Sequence, residues 1–271
     1  MKLKTLIASV GAALLSVSAF AGPFILAGTD ADDHGSASAT VNQNGWLFMQ
    51  KALENIASNV TNGKKTVAVL GSTSTAGTAA NSAFNLSSLA GTWSVQNIAI
   101  GSFANFFGGV SAVNISTVGI LLMDSGFNVT GGVDGSNFVP YAAGIDSFLG
   151  SGGGLFSQAN GFQWLAALLP SATVTGEFNS GISLTAAGNS NFPGLTNADL
   201  SAGPYHSRFN NFGATPILGT SNATGNAIVI GGVVGSITNP GVVPEPGSLL
   251  LVGIGLFGLL CAYRKKQNSF S

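Results

Sequence analysis

From Ser248 to Tyr263 the chain carries no charged side chain, and Arg264, Lys265 and Lys266 follow at once. A helix over the roughly 17 residues from Gly247 to Tyr263 is about 25 Å long, at the short end of what crosses a bilayer. A helix at the surface of a water-soluble fold needs a polar face, and Leu249 to Ala262 offers none. The pattern therefore predicts a transmembrane helix over 248–263. Basic clusters stay on the cytoplasmic side, so the chain before residue 244 is expected outside the cytoplasm.

Immediately before this run stand Pro244, Glu245, Pro246 and Gly247. Pro-Glu-Pro, one apolar helix and a short basic end, in that order at a C-terminus, resemble the PEP-CTERM sorting signal of exported bacterial proteins. The resemblance implies that an exosortase-type membrane enzyme reads a signal made of Pro244, Glu245, Pro246, Arg264, Lys265 and Lys266. It also implies anchoring in the inner membrane, then delivery to the cell surface or the exopolysaccharide matrix. It covers about 28 residues and leaves the rest of the chain unaddressed.

The N-terminal end agrees. Lys2 and Lys4 precede an apolar stretch from Leu6 to Val17, and Ala19-Phe20-Ala21 supplies the small residues of a signal-peptidase site. The expected organisation is a signal peptide over 1–21, one exported domain over 22–240 and a sorting tail over 241–271. Once both ends are set aside, four basic and nine acidic residues remain, a formal charge of about −5. No Lys or Arg occurs between Lys65 and Arg208. Nucleic acid is excluded as a partner on that ground, since phosphate contacts need a basic patch. The one cysteine, Cys261, lies in the tail, so the exported domain has no disulfide, thiol nucleophile or thiolate metal site.

Within the exported part, Phe24–Ala27 reads as a buried strand that opens into an acidic loop, and Trp46, Met49, Leu53, Ile56 and Val60 recur at helical spacing. A second apolar strand follows at Thr66–Leu70. Strand, helix and strand within about 50 residues predict a crossover unit in a parallel sheet covered on both faces. Gly71–Asn85 reads as a small-residue loop, Val95–Ile100 as a third strand and Val118–Met123 as a fourth that ends in Asp124. Pro140 suits a first helical turn, Leu155-Phe156 a short strand, and Gly161–Leu169 a helix. After Ala172 only short β-like pieces appear. The fold class expected is α/β, a mostly parallel sheet flanked by helices in a flavodoxin-like or amidotransferase-like arrangement.

Gly154 to Gln163 resembles the strand-turn-helix elbow of class I glutamine amidotransferases. The nucleophile position of that elbow falls on Ala159, which has no lone pair to attack with. The resemblance makes His206 the remnant of the histidine that serves the nucleophile. Ser157 is a poor substitute, because a hydrolase elbow requires glycine two residues later and Ala159 stands there.

The densest polar cluster is Asp30, Asp32, Asp33 and His34. In open α/β sheets ligands bind beyond the carboxyl ends of the strands, where this loop and Asp124 both belong. Asp30, Asp32, Asp33, His34, Asp124 and His206 are thus the candidate binding residues. If a metal binds, calcium or magnesium on Asp30, Asp32 and His34 suits the hard oxygen donors, although the twelfth position of an EF-hand loop is Val41. The expected function is a non-catalytic exported surface or matrix protein associated with extracellular polysaccharide, with no cofactor. The alternative is an exported hydrolase, or a metal- or sugar-binding protein, that uses the acidic loop.

Overall fold

The computed structural model describes residues 22–127 and 131–232 of the chain. The expected signal peptide over 1–21 and the expected transmembrane helix over 248–263 lie outside the described residues. Among the described residues no helix is long and apolar enough to cross a membrane.

Five strands form the parallel part of the sheet: β1 (Phe24–Ala27), β4 (Thr66–Leu70), β5 (Ser94–Ile98), β6 (Ile120–Met123) and β7 (Gly154–Gln158). They lie in the order β5-β4-β6-β7-β1, every neighbouring pair parallel. The sheet then continues from β1 with antiparallel strands β12 (Ala227–Gly232), β10 (Pro204–Asn210) and β8 (Thr173–Ser180). From β12 a branch runs through β11 (Ile217–Ser221) to β9 (Ile182–Leu184). A separate hairpin pairs β2 (Gly35–Ala37) with β3 (Asn42–Asn44). The chain is therefore α/β, with a mixed sheet whose antiparallel half comes from the short pieces after Ala172.

Alternation along the strands sorts the core into two layers. Ile25, Ala27, Val67, Val69, Ile120, Leu122 and Phe156 face one side, against helix α1 (Gly45–Ala57) and helix α2 (Ser74–Asn85). Phe24, Leu26, Ala68, Leu70, Leu121, Met123 and Leu155 face the other, against α3 (Phe103–Phe107), α4 (Ala142–Gly150) and the loop around Trp164. Every residue of β1, β6 and β7 is buried, which is why β1 and β6 read as unbroken apolar runs, while in β7 the apolar pair Leu155-Phe156 is followed by the buried polar residues Ser157 and Gln158. The remaining short helices, α5 (Ala186–Asn191) and α6 (Asn197–Leu200), cover the antiparallel end.

The structure corrects two local expectations. Residues Ser74 to Asn85 are a helix, not a loop: Ala76, Ala79, Ala80, Ala83 and Phe84 form a buried stripe at helical spacing. The stripe is built of alanine, so it carries little apolar bulk and escapes a reading based on large side chains. After β7 the only helical piece before Pro170 is a 3₁₀ turn at Leu165–Ala167, so the strand is not followed by the α-helix that an amidotransferase elbow requires. His206 lies on strand β10, whose alternate side chains Tyr205, Ser207 and Phe209 are buried.

Candidate functional site

The parallel strands deliver their polar residues to one edge of the sheet. Asp30 and Asp32 follow β1, Ser72 follows β4, Asp124 follows β6 and Gln158 ends β7. The chain crosses from β5 on the outside of β4 to β6 on its inside, so the topological switch point lies between β4 and β6. There the Ser72 hydroxyl donates to Asp124 Oδ2 at 3.2 Å.

Around Asp124 the network is closed to solvent. Gln158 Nε2 donates to Asp124 Oδ1 at 2.6 Å and reaches Asp32 Oδ1 at 3.4 Å, while Gln158 Oε1 accepts from the Ala31 amide at 3.3 Å. The Ser125 amide adds a bond to Asp124 Oδ1 at 3.0 Å. Asp32, Asp124, Ser125 and Gln158 are all fully buried. Burial pushes the Asp124 carboxyl up to about 6, against the bonds from Gln158, Ser125, Ser72 and Asp32 that favour its charged form.

The second group forms where β1 leaves the sheet. The Gly28 carbonyl accepts from the His206 amide at 2.7 Å, and Thr29 bridges to Tyr205. Gly28 permits this approach: a Cβ there would lie 1.8 Å from the Ser207 carbonyl oxygen. The crossing brings His206 Nε2 to 2.8 Å from Asp30 Oδ2, with His34 Nε2 at 3.6 Å from the same oxygen. Phe127 stacks on the His206 ring at 4.8 Å and Phe178 meets it edge-on at 5.4 Å. His206 Nδ1 and Asp30 Oδ1 are buried without a hydrogen-bond partner.

Asp30, His34 and His206 thus meet, and Asp32 meets Asp124, on the two sides of one turn. Asp33 lies half-buried in that turn. Among the described residues no group of three or more His, Cys, Asp and Glu is arranged to hold a metal ion. Ser157 is fully buried and accepts from Asn160 Nδ2 at 2.8 Å. Ala159 is buried with its amide bonded to the Ala27 carbonyl at 2.8 Å. Gln158 and Ser72 are members of the site that the sequence patterns did not single out. The signal for both was available, since each is a polar residue at the end of an apolar strand, as Asp124 is.

Beside Ser72 a cleft of about 610 Å³ opens between α2, β5 and the end of β2. Its walls carry hydroxyl and amide side chains from Ser38, Ser74, Thr78, Asn81, Asn85 and Asn97.

Residues 242–265 match the family model of the PEP-CTERM protein-sorting motif. No curated protein and no solved structure matches the chain. The match takes in Pro244, Glu245, Pro246, Arg264 and Lys265, all of which lie outside the described residues. The chain carries a PEP-CTERM sorting motif, which supports export, a C-terminal membrane-anchoring signal and processing by an exosortase-type membrane enzyme.

Proposed function

We propose that the domain is a non-catalytic surface or matrix protein which the sorting tail delivers to the cell exterior, where it associates with extracellular polysaccharide. The observation that carries the non-catalytic part is the state of His206. Its Nε2 is committed to Asp30, its Nδ1 has no hydroxyl within hydrogen-bond distance, and Phe127 covers a ring face. A histidine base needs its nucleophile within about 3 Å, or one water away. The sorting motif and the low charge of the exported part support a matrix location and a partner recognised without ion pairing.

The test is retention of the native protein, purified from shed matrix, on the producer's own exopolysaccharide. Retention that persists in high salt is expected. Passage straight through the column sinks the association.

A second reading rests on the convergence of Asp30, Asp32, His34, Asp124 and His206 at one sheet edge: an exported hydrolase, or a calcium or magnesium site. The full burial of Asp32 and Asp124 weighs against contact with a substrate. Calorimetric titration of calcium into the native protein tests the metal version, which fails if there is neither heat nor a shift in melting.

A further inference from the structure

The cleft beside α2 has a composition that its position in the fold does not require. Six of the twelve α2 residues are Ser, Thr or Asn that leave the alanine stripe: Ser74, Thr75, Thr78, Asn81, Ser82 and Asn85. Each is a weaker helix former than the Glu, Lys or Gln that an outer helix face ordinarily carries. Ser74, the first helical residue, also has φ of +47°, a left-handed conformation rare for a residue with a Cβ. A helix that departs from local preference on the face lining a cleft marks that face as serving something other than stability.

The opposite wall supplies a matched group. Asn81 on α2 and Asn97 on β5 exchange amide bonds, Asn81 Nδ2 to Asn97 Oδ1 at 3.2 Å and Asn97 Nδ2 to Asn81 Oδ1 at 3.3 Å. The second N–H of Asn81 goes to the Gly77 carbonyl at 2.6 Å. Asn97 keeps a free N–H and both carbonyls keep a lone pair, so the pair can still donate and accept. No ionisable side chain lines the cleft. Its volume lies within the range of about 300–1,000 Å³ usual for small-molecule sites.

We infer that this cleft binds an uncharged, polyhydroxylated ligand, a short segment of neutral glycan, through the Asn81–Asn97 pair and the hydroxyls of Ser74 and Thr78. Alternating donors and acceptors answer the hydroxyls of a sugar, and the lack of charge on the walls disfavours ionic ligands, which would lose their hydration with no counter-charge. The inference deepens the polysaccharide reading above by naming the site and the ligand class, and it rests on that reading for the source of the ligand.

The experiment uses the native exported protein and two probes: uncharged and anionic oligosaccharide fractions hydrolysed from the producer's exopolysaccharide and separated by anion exchange. Binding is followed through the side-chain amide resonances of Asn81 and Asn97. The expected result is saturable perturbation of these resonances by the uncharged fraction, little changed between low and high salt. Thr78→Arg, which puts a long side chain into the cleft from an exposed helical position, should weaken binding at least tenfold. Thr173→Arg, the same change on β8 at the far edge of the sheet, should leave binding unchanged. Perturbation by the anionic fraction alone, or equal binding by Thr78→Arg and the parent, overturns the cleft assignment. Retention of the intact polymer in the column experiment decides polysaccharide association separately. If neither fraction binds while the polymer is retained, the cleft inference falls and the broader reading stands.

Discussion

Gln158 donates through Nε2 to Asp124 Oδ1 at 2.6 Å, in a site from which solvent is wholly excluded. This contact ties the ends of β6 and β7 together and places a titrating carboxyl inside the fold.

Burial raises the Asp124 carboxyl from an ordinary 3.8 to about 6. The folded state therefore holds a proton that the unfolded chain has already released between those values. The stability this contributes is complete below about pH 4, falls as the pH rises to 6, and stays lost above it, by about 3 kcal/mol in all. Burial also acts on Glu54 and Glu177, but hydrogen bonds from Ser88 and Lys51, and from Thr224 and Asn226, outweigh it and hold both below the usual range. Those two lose their contribution as the pH falls below 4.5, outside the Asp124 window. The urea midpoint should fall between pH 4.5 and 7.5 in the parent and fall less in Asp124→Asn, which keeps an acceptor for Gln158. Equal slopes in the two proteins would contradict the assignment.

Asp30 accepts from His206 and lies within reach of His34, at 4% exposure. Asp30→Ala removes the shared acceptor and leaves the His206 Nε2 without it. The change should cost about 2 kcal/mol in urea unfolding followed by tryptophan fluorescence. Phe178, 69% exposed on the same cluster, should tolerate alanine within about 0.5 kcal/mol. A neutral Asp30→Ala would mean that the crossing of β1 and β10 rests on backbone bonds alone.

Phe48 on α1 packs edge-on against Phe156 at 5.7 Å and Phe192 at 5.5 Å, with no exposed surface. Phe48→Ala opens a cavity between helix, parallel sheet and antiparallel end, and should cost about 4 kcal/mol. The same urea unfolding measures it. A loss below about 1 kcal/mol would show that α1 can settle into the space.

The C-terminal peptide of the protein shed into the matrix should end near Pro244 to Gly247 when its mass is measured, with peptides that reach Ser271 confined to the membrane fraction. Shed protein that retains Ser271 would overturn processing at the Pro-Glu-Pro segment.

What the sequence alone determined was written in continuous, local patterns. The sorting tail was legible because its signal is one stretch of chain: apolar length, flanking charge and the Pro-Glu-Pro triplet. Strands β1, β4 and β6 and helix α1 were legible because burial on both faces gives a strand an unbroken apolar run, and burial of one helical stripe gives large apolar side chains a period. The stripe of α1 still shifted toward Phe48 and Ala52, and Trp46 became a half-buried donor to the Asp32 carbonyl at 2.8 Å. Helix α2 was hidden because alanine, serine and asparagine carry too little hydrophobic contrast to show a period. The tertiary structure alone decided the site. Asp30 and His206 are 176 positions apart and meet because the antiparallel strand β10 reaches the end of β1. Asp124 gains its raised carboxyl from packing that excludes water, and the Gln158, Asp32 and Ser72 bonds that the same strands bring to it act in the opposite direction. Proximity across the sheet and desolvation arise from packing, and no local run of residues encodes either one.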